Sequence, residues 1–159
     1  MKMKLCKKLL KKNNILAISS GGGHLMELLS SLEEIDKSQV VFVVNKTGHT
    51  KETLKKFKHY FIIDPHISKI KYIINFIQVF LIFLKIRPNY IVSTGAGIAI
   101  PMILLGKICG SKIIFIETGA RIFEPSKTGK FVYKYADLFL IQHETLKKYY
   151  PKAKVGRLI

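Results

Sequence analysis

The feature of this sequence that most constrains its fold is a series of short apolar runs, rich in Ile and Val, that recur along the chain. The runs are ILAIS (15–19), VVFVV (40–44), YFII (60–63), YIVS (90–93), IIFIE (113–117) and LFLI (138–141). Continuous apolar runs of this length are typical of strands buried on both faces, as in a parallel sheet. The stretches between them predict helices at 24–35, 50–57, 69–86, 98–108 and 127–136. Six such repeats predict an α/β fold, a Rossmann-like doubly wound sheet of about six parallel strands.

The chain is long enough for one ordinary domain with a hydrophobic core. It has 159 residues, 48% of them hydrophobic, and no linker, low-complexity segment or internal repeat divides it. We therefore expect a basic N-terminal segment at 1–14 followed by a single domain at 15–159. The two cysteines, Cys6 and Cys109, form neither a C-x-x-C pair nor a cluster with zinc spacing. This favours a reduced, cytoplasmic chain, and we expect no metal or other cofactor.

The charge balance indicates an anionic partner. The sequence has 27 Lys and Arg against 10 Asp and Glu, a formal net charge of +17, which attracts polyanionic surfaces. Nucleic acid and anionic lipid both fit this charge. Nucleic-acid binders interleave basic and exposed aromatic residues, whereas here the lysines cluster at the termini and helix ends and the aromatic residues lie in apolar runs. We therefore expect an anionic membrane surface as a partner and no nucleic acid.

The N-terminal segment MKMKLCKKLLKKNN is strongly basic, with six lysines in its first twelve positions. It lacks the apolar region and the small-residue cleavage site of a secretory signal. On a helical projection its leucines fall on one side and most of its lysines on the other, a pattern typical of a basic helix that lies in the lipid interface. The residues predicted to contact anionic headgroups are Lys7, Lys8, Lys11 and Lys12. The alternative is a solvated, frayed tail.

A second membrane candidate is the segment KIKYIINFIQVFLIFLKIR at 69–87. It is too short and, with Asn75 and Gln78 in its middle, too polar to span a bilayer, which takes about 20 apolar residues. Basic residues at both ends and phenylalanines between them suit a helix that lies in the interface. These phenylalanines are Phe76, Phe80 and Phe83. The alternative is a core helix packed on the sheet, and a helix that is apolar nearly all round is able to fill both roles.

Three loops that follow predicted strands are unusual: SSGGGH (19–24), STGAGIAIP (93–101) and ETGARIFEPSKTGK (117–130). In an open parallel sheet, ligands bind beyond the carboxyl ends of the strands, so these loops should meet along one edge. The first two place glycine-rich backbone at a helix N-terminus, where free N–H groups suit phosphate or crowded polar ligands. The first lacks the Lys-Ser/Thr of a P-loop, and Met26 occupies the third glycine position of G-x-G-x-x-G. The alternative is that the glycines only make the turns.

Two residues of these loops are candidates for chemistry. His24 lies where the first predicted helix begins, within reach of this edge of the sheet, and a general base suits that location. The alternative is a capping or packing histidine. Glu117 ends an otherwise apolar strand, with Arg121 four residues later. Its carboxylate is suited either to accepting sugar hydroxyls or to holding Arg121 in a local ion pair.

Several stretches resemble one family. The first loop, the STGAGIAIP loop and above all IFIETGARIFEPSKTGKFVYKYADLFLIQHETLKKYYPKAKVGRLI (114–159) are similar to the PssD-type polysaccharide biosynthesis subunit. This subunit is the bacterial relative of the membrane-recruiting subunit of the eukaryotic UDP-N-acetylglucosaminyltransferase. More distantly, the pattern is similar to the N-terminal half of MurG, a GT-B glycosyltransferase. The most specific residues are Glu117, Ala120, Arg121, Ser126, Thr128, Gly129, Lys130, Tyr135, Ala136, Asp137, Gln142, Tyr150, Pro151, Lys152, Ala153 and Gly156.

The resemblance implies half of a split enzyme: an acceptor-binding, membrane-docking subunit, peripheral at the cytoplasmic face of the membrane and inactive alone. A separate PssE-type subunit would carry the UDP-sugar site. The pair would transfer a sugar to a polyprenyl-diphosphate-linked acceptor in capsular or exopolysaccharide biosynthesis.

By position, the resemblance implies that His24 deprotonates the acceptor hydroxyl and that Glu117 is a second catalytic residue. The implied acceptor-binding residues are Ser20, Gly21, Gly22, Gly23, Thr94, Gly95, Gly97 and Arg121. The competing hypothesis is a non-catalytic basic binding or scaffold module, such as an activator of a partner enzyme or a nucleic-acid binder. It is supported by the net charge alone.

Overall fold

The computed structural model describes residues 14–65 and 68–156. The strands in chain order are β1 (Ile15–Ser19), β2 (Val40–Asn45), β3 (His59–Ile62), β4 (Tyr90–Ser93), β5 (Lys112–Ile116), β6 (Leu138–Ile141) and β7 (Lys154–Val155). They pair in parallel throughout and form one seven-stranded sheet with the order β3-β2-β1-β4-β5-β6-β7. The prediction of a Rossmann-like parallel sheet is confirmed.

The helices are α1 (Gly23–Ser31), α2 (Gly48–Thr53), α3 (Lys69–Ile86), α4 (Ile100–Cys109) and α5 (Lys127–Val132). Short 3₁₀ turns occur at Lys37–Gln39, Gly97–Ala99 and Glu144–Lys148. The bounds of α3 agree with the prediction, whereas α1, α2 and α5 end earlier than predicted because the chain leaves the helix in turns stabilised by local backbone hydrogen bonds.

The helices cover both faces of the sheet. On one face, Leu25 and Leu28 of α1, together with Leu54 directly after α2, pack with residues of β1 and β2 in one buried cluster. On the other face, α3, α4 and α5 contribute to a second and larger buried cluster. Both faces of the central strands are therefore buried, which is why their sequences are continuously apolar.

The strand order reverses between β1 and β4. From β1 the chain proceeds outward to β2 and β3, then crosses back through α3 to β4 on the other side of β1. Ligands bind outside the carboxyl ends of the strands at such a reversal. This topology places the loops after β1 and β4 side by side.

The inner face of α3 explains the polar residues within this otherwise apolar helix. The side-chain amide of Asn75 donates to the Ile63 carbonyl at 2.8 Å, and the Gln78 side chain accepts from the Ile63 amide at 2.8 Å. These two residues therefore satisfy the backbone at the end of β3. Phe83, predicted to face lipid, is instead 6% exposed in the core. That prediction is wrong because Phe83 lies on the same side of the helix as buried Val79 and Ile82.

The seventh strand is an addition to the predicted sheet. Lys154 pairs with Leu140 and Val155 with Ile141, at the edge beside β6. Both residues of β7 are exposed, so this strand has no apolar run that would predict it from the sequence.

Candidate functional site

The loops at the carboxyl end of the sheet meet at α1. The hydroxyl of Thr94, after β4, donates a hydrogen bond of 2.6 Å to the carbonyl oxygen of His24. After β5, the Thr118 hydroxyl and the Gly119 amide donate to Oε1 of Glu27 at 3.0 and 2.8 Å. The loops after β1, β4 and β5 therefore lie together, as a parallel sheet predicts.

The glycine loop before α1 is held by residues of β2 and α2. The amide of Gly21 donates to Oδ1 of Asn45 at 2.7 Å. A Cβ at position 21 would lie 2.7 Å from Cγ2 of the buried Thr50, so the chain passes too close for any side chain there. Gly22, the residue before α1, has a φ of 76°, a backbone conformation that favours glycine. These contacts fix the start of α1, with the partly exposed Ser20 in the same loop.

His24 occupies the first turn of α1, with a side chain that is 31% exposed. Gly95 in the β4 loop has a φ of +118°, and a Cβ on it would lie 3.4 Å from Cε1 of the imidazole. The ring thus packs directly on the backbone of that loop. Beside it is a cavity of about 630 Å³. The residues that line this cavity include Gly23, His24, Met26, Glu27, Thr118 and Ala120.

Glu27 is a site residue that the sequence analysis missed. Its Oε1 accepts from Thr118, Gly119 and, at 3.4 Å, from Nε2 of Gln142. Its Oε2 lies 3.8 Å from Nδ1 of His24. The partners of Oε1 are 91 to 115 positions away in the chain, so no local motif identifies Glu27. Its position three residues after His24 is the only signal in the sequence.

Glu117 is buried, with 1% of its surface exposed. Its Oε2 accepts from the amide and the hydroxyl of Ser126, both at 3.1 Å, and from the Tyr150 hydroxyl at 2.8 Å. Burial, followed by the neighbouring charge of Glu117, raises the pKa of Tyr150 far above its usual value, so this hydroxyl remains a donor. The carboxylate therefore joins the loop after β5 to the N-terminus of α5 and to the segment before β7.

The expected ion pair between Glu117 and Arg121 is not formed. Arg121 is exposed, and the carboxylate accepts instead from Thr118, Ser126 and Tyr150. The reason is that the carboxylate of Glu117 faces the interior, where these donors already satisfy it. This geometry gives Glu117 a structural role in the loop after β5, and its direct part in catalysis stays a prediction.

The exposed surface of α3 is apolar over most of its length. We call this surface the α3 apolar face. It consists of Ile70, Ile73, Ile74, Phe76, Ile77, Phe80, Leu81 and Leu84, all between 40% and 71% exposed. Contiguous apolar surface of this kind marks an interaction site. Tyr72, also on α3, lies near the loop after β4, since a Cβ on Gly97 would be 3.9 Å from its hydroxyl.

The predicted basic N-terminal helix, with Lys7, Lys8, Lys11 and Lys12, lies outside the described residues. Within residues 14–65 and 68–156, no helix has both the length and the apolar character needed to cross a bilayer. In the same part of the chain, no three His, Cys, Asp or Glu side chains are grouped so that they could hold a metal ion.

Comparison with protein families gives a match over most of the chain. Residues 62–158 match the family described as oligosaccharide biosynthesis protein Alg14 like. A UDP-N-acetylglucosamine transferase subunit ALG14 from Candida albicans is 27% identical, over 93% of this chain and 78% of that protein. The Mus musculus subunit of the same name is 34% identical, over 50% of this chain and 40% of that protein. The chain thus matches less than half of the mouse relative's length, and the bacterial PssD type stays a prediction.

Solved structures with the same fold are larger proteins. MurG from Acinetobacter baumannii has a TM-score of 0.71 at 15% identity, over 84% of this chain and 43% of that one. A UDP-N-acetylglucosamine 2-epimerase from Rickettsia bellii has a TM-score of 0.70 at 15% identity, over 89% and 42%. HepE from Anabaena, in complex with UDP and glucose, has a TM-score of 0.68 at 10% identity, over 92% and 44%. At such identities the likeness shows the fold alone, and the chain covers less than half of each structure.

Proposed function

This chain belongs to the family of Alg14-like oligosaccharide biosynthesis proteins, and we propose that it is the acceptor-binding and membrane-docking subunit of a two-chain glycosyltransferase. Its partner is a PssE-type subunit that carries the UDP-sugar site. Together they transfer a sugar to a polyprenyl-diphosphate-linked acceptor in capsular or exopolysaccharide biosynthesis. The observation that carries the proposal is the position of His24, between the β1 and β4 loops and beside the cavity.

In this reaction His24 acts as general base. It takes the proton of the acceptor hydroxyl while the hydroxyl oxygen forms a bond to the anomeric carbon of the donor sugar. The bond from that carbon to UDP breaks, and UDP leaves with the electron pair. A well-placed general base contributes on the order of 10²–10⁴-fold in rate. The backbone of Gly22, Gly23, Thr94 and Gly97 binds the diphosphate and sugar of the acceptor, since glycine permits the close approach that a crowded anion needs. Gly21 and Gly95, whose amides donate to Asn45 and Ser93, shape the two loops.

The α3 apolar face is the membrane-docking surface in this proposal. Its large side chains insert among the acyl chains, while Lys69, Lys71, Lys85 and Arg87 at its ends contact anionic headgroups. Each basic residue near such a surface contributes about 1 kcal/mol before screening. The proximity of Tyr72 on α3 to Gly97 brings this helix next to the loop after β4. In this proposal a lipid-linked acceptor reaches His24 from the membrane along the loop after β4.

The names of the relatives support a role as one subunit of a larger enzyme, since each is called a transferase subunit. In this proposal the nucleotide-sugar site lies on the partner, and the complex works at the cytoplasmic face of the membrane.

The test is transfer of radiolabelled sugar from several UDP-sugars to a lipid-linked acceptor in membranes. The reaction is run with this chain alone, with the PssE-type subunit alone, and with both. We expect transfer only, or mainly, when both are present, and the active UDP-sugar identifies the donor. Full activity of the PssE-type subunit alone, unchanged by adding this chain, would contradict the proposal and leave a basic binding or scaffold module.

A further inference from the structure

Two buried polar atoms in the candidate site face each other without hydrogen-bond partners. They are Nδ1 of His24 and Oε2 of Glu27, which are 3.8 Å apart. A buried polar atom that is left unpaired costs about 1–3 kcal/mol, so two such atoms side by side call for an explanation. The separation is longer than a hydrogen bond, and a closer approach of about 0.8 Å would make one.

Glu27 is rigidly held from its other oxygen. Oε1 accepts from the Gly119 amide at 2.8 Å and from the Thr118 hydroxyl at 3.0 Å. Gln142, whose Nε2 is 3.4 Å from the same oxygen, also donates to the backbone carbonyl of Glu117 at 3.2 Å. These three donors come from the loops after β5 and β6. They fix the carboxylate so that Oε2 points toward the imidazole.

His24 is held by the loop after β4. Its ring packs on Gly95, and the Thr94 hydroxyl donates to the His24 carbonyl oxygen at 2.6 Å. Among the described residues, Nδ1 has no hydrogen-bond partner, and Oε2 of Glu27 lies 3.8 Å from it. Both side chains line the cavity.

We propose that Glu27 is the positioning residue for His24, in a carboxylate–histidine pair that forms when the 3.8 Å gap closes. The carboxylate accepts a hydrogen bond from Nδ1–H, so the ring proton stays on Nδ1 and Nε2 is left unprotonated for the acceptor hydroxyl. When Nε2 takes that proton, the ring becomes an imidazolium, and the adjacent carboxylate stabilises its charge. A hydrogen bond at one ring nitrogen is what decides which tautomer the other nitrogen has. The catalytic meaning of this pair rests on the proposed function.

The kinetic test is a double-mutant cycle in the two-subunit enzyme. Glu27→Gln keeps the size of the side chain and the carbonyl oxygen that accepts from Gly119, but it removes the charge that stabilises the imidazolium. We expect kcat to fall by about 10- to 10³-fold with KM for the acceptor nearly unchanged, by analogy with carboxylates that orient other catalytic or metal-binding histidines. In a His24→Ala background, Glu27→Gln should have no further effect, because residues that act as a unit are not additive.

Glu34→Gln is the matched control. Glu34 follows the same helix and is exposed, so this variant should keep the wild-type kcat. If Glu27→Gln lowers kcat by the same factor with and without His24, its effect is structural and the proposal is overturned.

A spectroscopic test separates the pair from the proposed function. Nitrogen-15 NMR of the histidine-labelled full chain, at alkaline pH where imidazoles are neutral, reports which nitrogen of His24 carries the proton. We expect a protonated Nδ1 in the wild type and a shift toward protonated Nε2 in Glu27→Gln. A wild-type ring with its proton on Nε2 overturns the pair. A protonated Nδ1 together with full activity of His24→Ala supports the pair and contradicts the proposed role of His24 as general base.

Discussion

The hydroxyl of Tyr150 donates a 2.8 Å hydrogen bond to Oε2 of Glu117, and both residues are only 1% exposed. The two are 33 positions apart, and the same carboxylate oxygen accepts from the amide and hydroxyl of Ser126. A buried carboxylate is stable only when hydrogen bonds satisfy it. This contact therefore makes Tyr150 part of the structure that holds the loop after β5 in place beside the cavity.

Tyr150→Phe should destabilise the protein without changing its shape. The substitution leaves a buried carboxylate oxygen short of one donor, which costs about 1.5–3 kcal/mol for a hydrogen bond to a charged group. Urea unfolding measures this as a lower transition midpoint with an unchanged slope. Tyr149→Phe is the control because the neighbouring ring is 40% exposed and should change stability by less than about 0.5 kcal/mol. Equal midpoints for the two variants would show that the contact contributes nothing.

The raised pKa of Tyr150 predicts a loss of stability at high pH. Burial first, and then the charge of Glu117, raise the pKa of Tyr150 in the folded protein above its value of about 10 in the unfolded chain. The folded state then holds this proton more tightly. The contribution of Tyr150 to the free energy of unfolding is therefore complete below about pH 10 and decreases as the pH rises above it. Unfolding free energies at several pH values from 8 to 11 test this. The wild type should lose more stability across this range than Tyr150→Phe, and parallel curves would contradict the prediction.

Gly129→Ala should disrupt the hydrogen bond between Tyr150 and Glu117 by steric overlap. A Cβ at this position would lie 2.1 Å from Oε2 of Glu117 and 2.6 Å from the Tyr150 hydroxyl. The methyl group therefore displaces the bonded pair, and we expect a loss of more than about 2 kcal/mol or failure to fold. The measurement is soluble yield and urea midpoint. Gly48→Ala, where nothing lies within 4 Å of the added Cβ, should be neutral or stabilising by up to about 1 kcal/mol.

The central strands were predictable because their burial leaves a direct trace in the sequence. Six of the seven strands begin and end within one residue of an apolar run. The bounds of α3 were equally clear from the sequence, but the side of the helix that faces the sheet was not. Because it is apolar nearly all round, periodicity does not distinguish buried Phe83 from exposed Phe76 and Phe80. That distinction depends on which side of α3 faces β3. The hydrogen bond from Asn75 to Ile63 identifies that side, and this contact is seen only in the structure.

The candidate site was predictable only where its residues stand in loops next to strands. Topology alone brings the segments around His24, Thr94 and Glu117 to one edge. The hydrogen-bond partners of each side chain were not predictable, because they depend on side-chain packing between distant segments. Glu27 contacts Gln142, 115 positions away, and Glu117 is turned inward toward Tyr150 rather than outward toward Arg121. No spacing in the sequence reports such contacts.

Replacing exposed phenylalanines of α3 should weaken membrane binding without affecting the fold. Phe76 and Phe80 are 52% and 40% exposed. Burying a large apolar side chain in lipid contributes up to about 1.5–3 kcal/mol, so Phe76→Ser with Phe80→Ser should lower the affinity for anionic vesicles by at least about tenfold. Vesicle sedimentation measures the affinity, and the wild-type binding should also decrease with added salt.

Two controls make this prediction specific. Ile35→Ser replaces an apolar side chain that is 39% exposed outside α3, and it should leave vesicle binding unchanged. Phe83→Ser, in the same helix but buried, should lower the unfolding free energy by about 3–5 kcal/mol, as for other large-to-small substitutions of phenylalanine in a core. Equal loss of binding in Ile35→Ser, or full binding in the double variant, would exclude the α3 apolar face as the docking surface.

His24→Ala is the most direct test of the proposed chemistry. The imidazole lies at the junction of the β1 and β4 loops and lines the cavity. Its removal should lower kcat of the two-subunit enzyme by about 10²–10⁴-fold. The fold and the pairing of the subunits should persist, because the backbone contact with Thr94 uses the carbonyl oxygen of residue 24 and not its side chain. Sugar transfer, co-purification of the subunits and the urea midpoint are measured together. His49→Ala, which alters an exposed histidine on α2, should behave as the wild type. Wild-type transfer by His24→Ala would assign the ring to packing against Gly95 and place the base on the partner.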